Sequence, residues 1–365
     1  MNPDLIPALD AAGLPGPPWL FHVLLVFTFF LHLIFMNLTL GGTLMAFVAN
    51  LRGRGQSGDP DAVLAKRLMG VNTYAISLAI TTGVAPLLFV QVLYQQFFYS
   101  GTILLGWIWF GMLVLLMIGY YAAYLHKRFR GGWLGVSAVC FFAIAMTHVA
   151  VHLIHVQPAK WPQFNMSAMS VLADPTYWPR LIHFVLAAVT FAALVAAWWA
   201  VRRARAGVDV DLNTAIAQST WRWAYLATVL QLVDGFLLTA VLPKPVLLGV
   251  MRGGIETLGP LSLSILLAIG LLVMLERGGP NPVMKPGLVS GVLATLLLTI
   301  AVMSVTRHQV RVLYLEPATS KFTATIVPQW GNFILFALLL VIGLATVFWM
   351  VRRVLTSPAE GDEAA

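Results

Sequence analysis

The chain is cut into uninterrupted apolar runs of about 20 residues or more, and that length constrains everything else about it. A helix rises 1.5 Å per residue, so about 20 residues cross the roughly 30 Å hydrocarbon layer of a bilayer. Runs of this kind fall at about 18–50, 69–97, 103–126, 133–157, 178–201, 221–242, 258–276, 286–306 and 330–351, divided by charged or Pro/Gly-rich breaks. The runs are continuous rather than alternating, which points to helices and not to barrel strands. The expected fold is therefore all-α: a polytopic membrane bundle of about nine transmembrane helices. Composition agrees, with 59% hydrophobic and only 10% charged residues, against roughly a quarter charged in soluble domains. Before the first run stands a short leader with Asp4 and Asp10 and neither a basic segment nor a small-residue cleavage site. The run from Trp19 is thus expected to be a retained helix and not a signal peptide. The division is a leader at 1–17, a transmembrane bundle at 18–353 and a tail at 354–365.

The formal net charge is +8, but the basic residues sit in short loops, where topology signals belong, so nucleic acid is not expected as a partner. The 22 Lys and Arg residues divide 15 to 7 between the two sets of alternate loops. The richer set includes "HKRFR" and "RRARAG" and is expected on the cytoplasmic side, which puts the N-terminus outside and the C-terminus inside. Cys140 is the single cysteine. It excludes an internal disulfide, a thiolate cluster and covalent CxxCH haem attachment.

Within this apolar chain "AMTHVAVHLIHVQP" carries His148, His152 and His155. At 100° per residue the three fall within an arc of about 60°, on one helix face. By helical rise His22 lies a few ångströms inside the outer boundary and His32 about 20 Å in, with His152 and His183 about 8 Å and His148 about 14 Å deep. His308 is expected to close the eighth span on the outside, and His126, beside Lys127 and Arg128, to be a solvated flank. Polar groups in a bilayer are costly and usually face the bundle interior with a partner. Interhelical hydrogen bonding explains a single histidine better than a clustered set. Zinc or copper sites usually recruit carboxylates or thiolates as well. A proton relay normally includes carboxylates, and Asp234 is the only acid near the middle of a span.

Haem fits the pattern best, since it needs axial imidazoles from facing helices, an apolar pocket, and aromatic or small residues against the macrocycle. Gly41, Gly42, Phe184, Ala187 and Ala188 are candidates for that contact. The two depth levels suggest two haem b positions: one near mid-membrane drawing on His32 and His148, and one nearer the outer face drawing on His183 with His22, His152 or His155. The histidine count leaves room for a third.

Two stretches, "FFLHLIFMNLTLGGTLMA" and "MSVLADPTYWPRLIHFVLAAV", resemble the first-helix and fifth-helix motifs of the large subunit of cytochrome bd quinol oxidases. "KRLMGVNTYAISLAITTGV" is similar to that family's second helix, and the span count and N-terminal orientation agree. The resemblance covers roughly 17–203, and the remainder only in topology. It implies haem ligation by His32 and His183, a quinol substrate, a second membrane subunit as partner, and residence in the inner, cytoplasmic membrane of a prokaryote. Departures from the family pattern bear on activity. The third span, "TILLGWIWFGMLVLLMIGYYAAYL", has no acid where the family carries carboxylates, and Ser304 stands where it carries a Glu. The outer loop that shapes the quinol site shrinks to about 242–259, and the methionine ligand expected early in the seventh span is not evident in "GPLSLSILLAIGLL". The histidines of the fourth span are additions to the pattern.

Fewer carboxylates and more imidazoles favour bis-His haems that transfer electrons over an open iron site for oxygen. The reading is a divergent, bd-like cytochrome b subunit of a respiratory complex, passing electrons between the quinone pool and an outer-face redox partner such as a c-type cytochrome. Arg180, Lys160, Lys244, Arg252, Arg307, Arg311 and Lys321 would serve that partner's docking or the haem propionates. Asp234 is a candidate for proton or quinone contact, or for an interhelical hydrogen bond. The alternatives are a terminal oxidase that still reduces oxygen with quinol, and a haem-free transporter or channel with Pro86 and "VLPKPVL" as kinks lining a cavity.

Overall fold

The computed structural model describes residues 6–8, 13–53, 58–129, 131–320, 322 and 324–356. Lys321 and most of the leader and tail fall outside the described residues. The helices are α1 (Pro18–Arg52), α2 (Pro60–Leu105), α3 (Trp107–Phe129), α4 (Trp133–Val156), the short α5 (Trp161–Met166), α6 (Tyr177–Arg205), α7 (Val210–Ala240), the short α8 (Lys244–Arg252), α9 (Leu258–Gly278), α10 (Pro286–Thr319) and α11 (Trp330–Thr356). Among the described residues nine helices are long and apolar enough to cross a membrane, and the only strand pairing is a single parallel bridge, Leu14 with Ile326. The fold is an all-α membrane bundle.

Local chemistry explains the helix starts. Pro60 occupies the first turn of α2, and the Asp59 carboxylate accepts from the backbone N–H groups of Asp61 and Ala62 at 2.8 and 3.3 Å, a side-chain cap on orphan donors. The elements outrun the apolar runs. α2 continues through "QQFFYSG" to Leu105, bending at Tyr94 (φ −134°, ψ 33°) eight residues past Pro86. α10 continues past Thr306 to Thr319. Polar residues lower hydropathy in these stretches, and several of them, Gln96, His308 and Arg311, are buried in the bundle.

Two apolar cores divide the bundle along its axis. At the end where α1 finishes, Met45, Leu68, Phe191, Ile216 and Val292 pack together around the alanine-rich face of α6. At the end where α1 begins, here the near end, Phe21, Phe97, Leu153, Phe164 and Tyr177 form the second. Small residues let backbones touch between helices. A Cβ built on Gly41 would lie 1.9 Å from the Ala188 carbonyl oxygen, so α1 and α6 cross in direct backbone contact. Gly41 and Gly42, expected against a macrocycle, serve helix packing instead, the second facing the Asn72 side chain. Asn72 Nδ2 donates to Thr39 O (3.1 Å) and Thr43 Oγ1 (2.7 Å), and Trp221 Nε1 donates to Leu275 O (3.0 Å), tying α2 to α1 and α7 to α9. The segment between α4 and α6 folds over the near end. There Asp174 accepts from Gln157 Nε2, Lys160 Nζ, and the N–H and hydroxyl of Thr176 at 3.1, 2.7, 3.0 and 2.6 Å.

Candidate functional site: a histidine and arginine interior

Three histidines share one chemical arrangement. His32 on α1 places Nδ1 3.0 Å from the Ala79 carbonyl oxygen of α2. His148 on α4 places Nδ1 3.0 Å from the Ile144 carbonyl oxygen, one turn back on its own helix. A carbonyl only accepts, so Nδ1 carries the proton in both rings and Nε2 keeps its lone pair. His183 on α6 brings Nδ1 to 3.3 Å from Asp234 Oδ2 on α7, a contact short of an aligned hydrogen bond. Metal-bound imidazoles are characteristically held in this way through the other ring nitrogen. Gly83 makes room for the first ring: a Cβ there would meet His32 Cε1 at 2.9 Å.

His32 and His148 lie within electrostatic reach of each other. The His148 residue is exposed, and Trp109 of α3 flanks its ring with centroids 6.1 Å apart. His183 instead lines a largely apolar cavity of about 220 Å³ among α1, α6, α7, α8, α9 and α10. Phe29, Phe184, Ala187, Met303 and Arg307 share its wall. Met303 is the one thioether there. Nothing in the sequence marks Met303, one of 14 methionines, as facing this cavity.

His22, His152, His155 and His308 gather at the near end. His22 and His308 stack at 4.9 Å between centroids, with Tyr94 6.2 Å from His22 and 5.8 Å from His155. His155 is buried against Phe97 and Phe98. His152 is buried within reach of Arg180, Arg307 and Arg311. None of His22, His152 and His155 is on the wall that carries His183. His308 does not close its span: α10 continues eleven residues beyond it to Thr319, and the ring is buried. His126 is also buried, at 8% exposure, and not a solvated flank. The end of α3 packs into the bundle, so a charged neighbourhood in sequence did not mean water in space.

The arginines divide likewise. Lys244 and Arg252 are exposed, but Arg180 and Arg311 are 6% exposed and Arg307 faces the cavity. Arg180, Arg307 and Arg311 lie within electrostatic reach of one another. Arg307 sits 4.3 Å over the Phe29 ring and 5.6 Å over Phe184, and Arg311 5.7 Å over Tyr94. The Nε atoms of all three are buried without a hydrogen-bond partner, and none forms an ion pair with a carboxylate among the described residues. Asp174 acts on Arg180 only at longer range and spends its oxygens on Lys160, Gln157 and Thr176. Buried cations without a carboxylate partner are costly, and the polar side chain that meets Arg180 is that of Tyr314. Among the described residues no three of His, Cys, Asp and Glu converge as a metal-ion site. Ser304, standing for the expected Glu, is buried and donates to Ile300 O at 2.8 Å.

The bundle is similar to a chain of the bd oxidase from Geobacillus thermodenitrificans, with a TM-score of 0.73 and 15% identity over 93% of this chain and 99% of that one. No protein-family model and no curated protein matches the sequence. The likeness is one of fold: a bd-oxidase-like, multi-pass membrane bundle.

Proposed function

We propose that this chain is a haem b-binding membrane subunit of a respiratory complex, exchanging electrons between the quinone pool and an outer-face partner of the c-type cytochrome kind. The observation that carries the reading is the set of imidazoles with Nε2 unengaged, His32 and His148 held by Nδ1 on carbonyl oxygens and His183 with Nδ1 beside the Asp234 carboxylate, together with arginines that lack carboxylates. Iron takes the first kind of group and propionates take the second. Bound haem b supplies one-electron redox chemistry. His32 and His148 would hold one group near mid-membrane, and His183 a second in the α6–α7 cavity, where Met303 is a further donor. His22, His152 and His155 remain candidate ligands at the near end, with space for a third group. Phe29, Phe184 and Ala187 give the cavity its apolar wall and Arg180 and Arg307 its positive charge, with Arg311 within electrostatic reach of both.

The absence of any acid in α3 and the occupation of the Glu position by Ser304 support electron transfer over oxygen reduction, since neither a carboxylate ligand nor a proton donor stands there. The bd-oxidase-like fold supports placement in the cytoplasmic membrane of a prokaryote, N-terminus outside, with lipid and a second membrane subunit as neighbours.

A pyridine haemochrome count with an optical redox titration on purified protein tests this. Two low-spin b haems with no carbon monoxide shift are expected, and His32→Ala, His148→Ala and His183→Ala should each lower the haem content. A large carbon monoxide shift would return the chain to the oxygen reductases, and no haem at all would end the proposal.

A further inference from the structure

Asp234 is a buried carboxylate, 7% exposed, on a membrane-spanning helix, and its only ion-pair contact among the described residues is His183 Nδ1 at 3.3 Å. Burying a carboxylate in hydrocarbon is costly unless it is paired, so its place on α7 calls for a reason. The neighbouring backbone is shaped to permit this approach. Gly235 follows it, and a Cβ on that glycine would press His183 Cε1 at 3.3 Å. His183 and Asp234 belong to neighbouring helices, α6 and α7, which are joined by the short segment at 206–209. The Asp234 Oδ2 and His183 Nδ1 atoms are both buried without a hydrogen-bond partner and face each other at 3.3 Å.

We propose that Asp234 is the positioning residue of His183: its carboxylate holds the ring by Nδ1–H, turns Nε2 toward the α6–α7 cavity, and lowers the reduction potential of the group that His183 binds. This rests on the haem reading above. The physical basis is twofold. A carboxylate on the far nitrogen of an iron-bound imidazole makes it a stronger electron donor and fixes its orientation. A fixed negative charge in a poorly screened interior favours the ferric state, which carries one more positive charge.

The experiment is an optical redox titration, at one pH, of the full-length protein purified with its haem, comparing the wild type with Asp234→Asn and Asp234→Glu. Asparagine keeps the shape and the acceptor oxygen but not the charge, so a purely structural contact would leave the potential where it was. The expected result is an unchanged haem count in both variants. One of the midpoints should rise in Asp234→Asn by about tenfold in the reduced-to-oxidised ratio, equivalent to 59 mV for one electron, with the wild-type value regained in Asp234→Glu. Loss of haem from Asp234→Asn alone, with Asp234→Glu retaining it, supports the same role. An unmoved midpoint in a fully loaded Asp234→Asn protein overturns the proposal, as does a shift that glutamate fails to reverse. A wild-type protein without haem overturns the functional reading itself, a result recognised before any variant is titrated.

Discussion

Replacing Asp174 by alanine should open the segment between α4 and α6 while leaving the helices inserted. The side chain is 4% exposed and accepts four hydrogen bonds. Two of its donor residues, Gln157 at 7% and Thr176 at 2% exposure, are buried, and each buried donor left without an acceptor costs about 1–3 kcal/mol. Lys160 is 43% exposed on its side chain, so water replaces that arm and its share is at most about 1 kcal/mol. The loss comes to about 3 kcal/mol, which raises the open population of the segment about a hundredfold at 1.4 kcal/mol per decade. Cleavage by trypsin after Lys160 in detergent should accelerate by about that factor when opening is fast relative to cutting. Burial works against ionisation of Asp174, but the Lys160 and Thr176 bonds prevail and hold its pKa below the ordinary aspartate range. The native value being the lower one, this stabilisation is complete above about pH 4 and disappears as pH falls through the native pKa. Wild-type cleavage should therefore speed up below pH 4 toward the Asp174→Ala rate with an acid-tolerant protease. An Asp174→Ala protein cut no faster than wild type would refute the reasoning.

Two further outcomes follow from the interior. Gly41→Val should force α1 away from the Ala188 backbone, lowering stability by about 1–3 kcal/mol or more; reaction of the buried Cys140 thiol with a fluorogenic maleimide during heating reports the lowered transition. Arg311→Met should act in opposite directions on the two forms of the protein. It should stabilise the haem-free chain by about 1–4 kcal/mol, because an uncompensated buried charge is removed, and should weaken haem retention during dialysis against apomyoglobin.

Hydropathy located every long helix because the bilayer enforces a minimum apolar length, and no local preference competes with that. It failed at the ends for the same reason. The stretch "TRHQVRVLYLEPAT" is polar on average yet helical, since His308 and Arg311 turn inward and the carbonyl ladder of α10 continues past them. The shared helix of His148, His152 and His155 was legible from hydropathy, and their common side from helical rotation. Their division was not: His148 is exposed beside Trp109, while His155 is sealed against the Phe97 and Phe98 rings. That difference rests on which rings of α2 and α3 reach each histidine, and α2 bends at Tyr94 beside His155. The His183–Asp234 contact likewise depends on how α6 and α7 rotate about their axes, a quantity fixed by packing and not by spacing in the chain.

The bridge between Leu14 and Ile326 has a consequence for biosynthesis. Leu14 N–H donates to Thr325 O at 2.7 Å, Val327 N–H to Leu14 O at 2.8 Å and Gln329 N–H to Pro15 O at 2.9 Å, so the segment before the first helix is clasped to the one before the last. A ribosome adding roughly 5–20 residues per second needs about 15–60 s to supply the missing partner. For that interval the leading segment has its backbone donors unpaired while the helices between are inserted one after another. Closure of this clasp therefore waits until nearly the whole chain has been made.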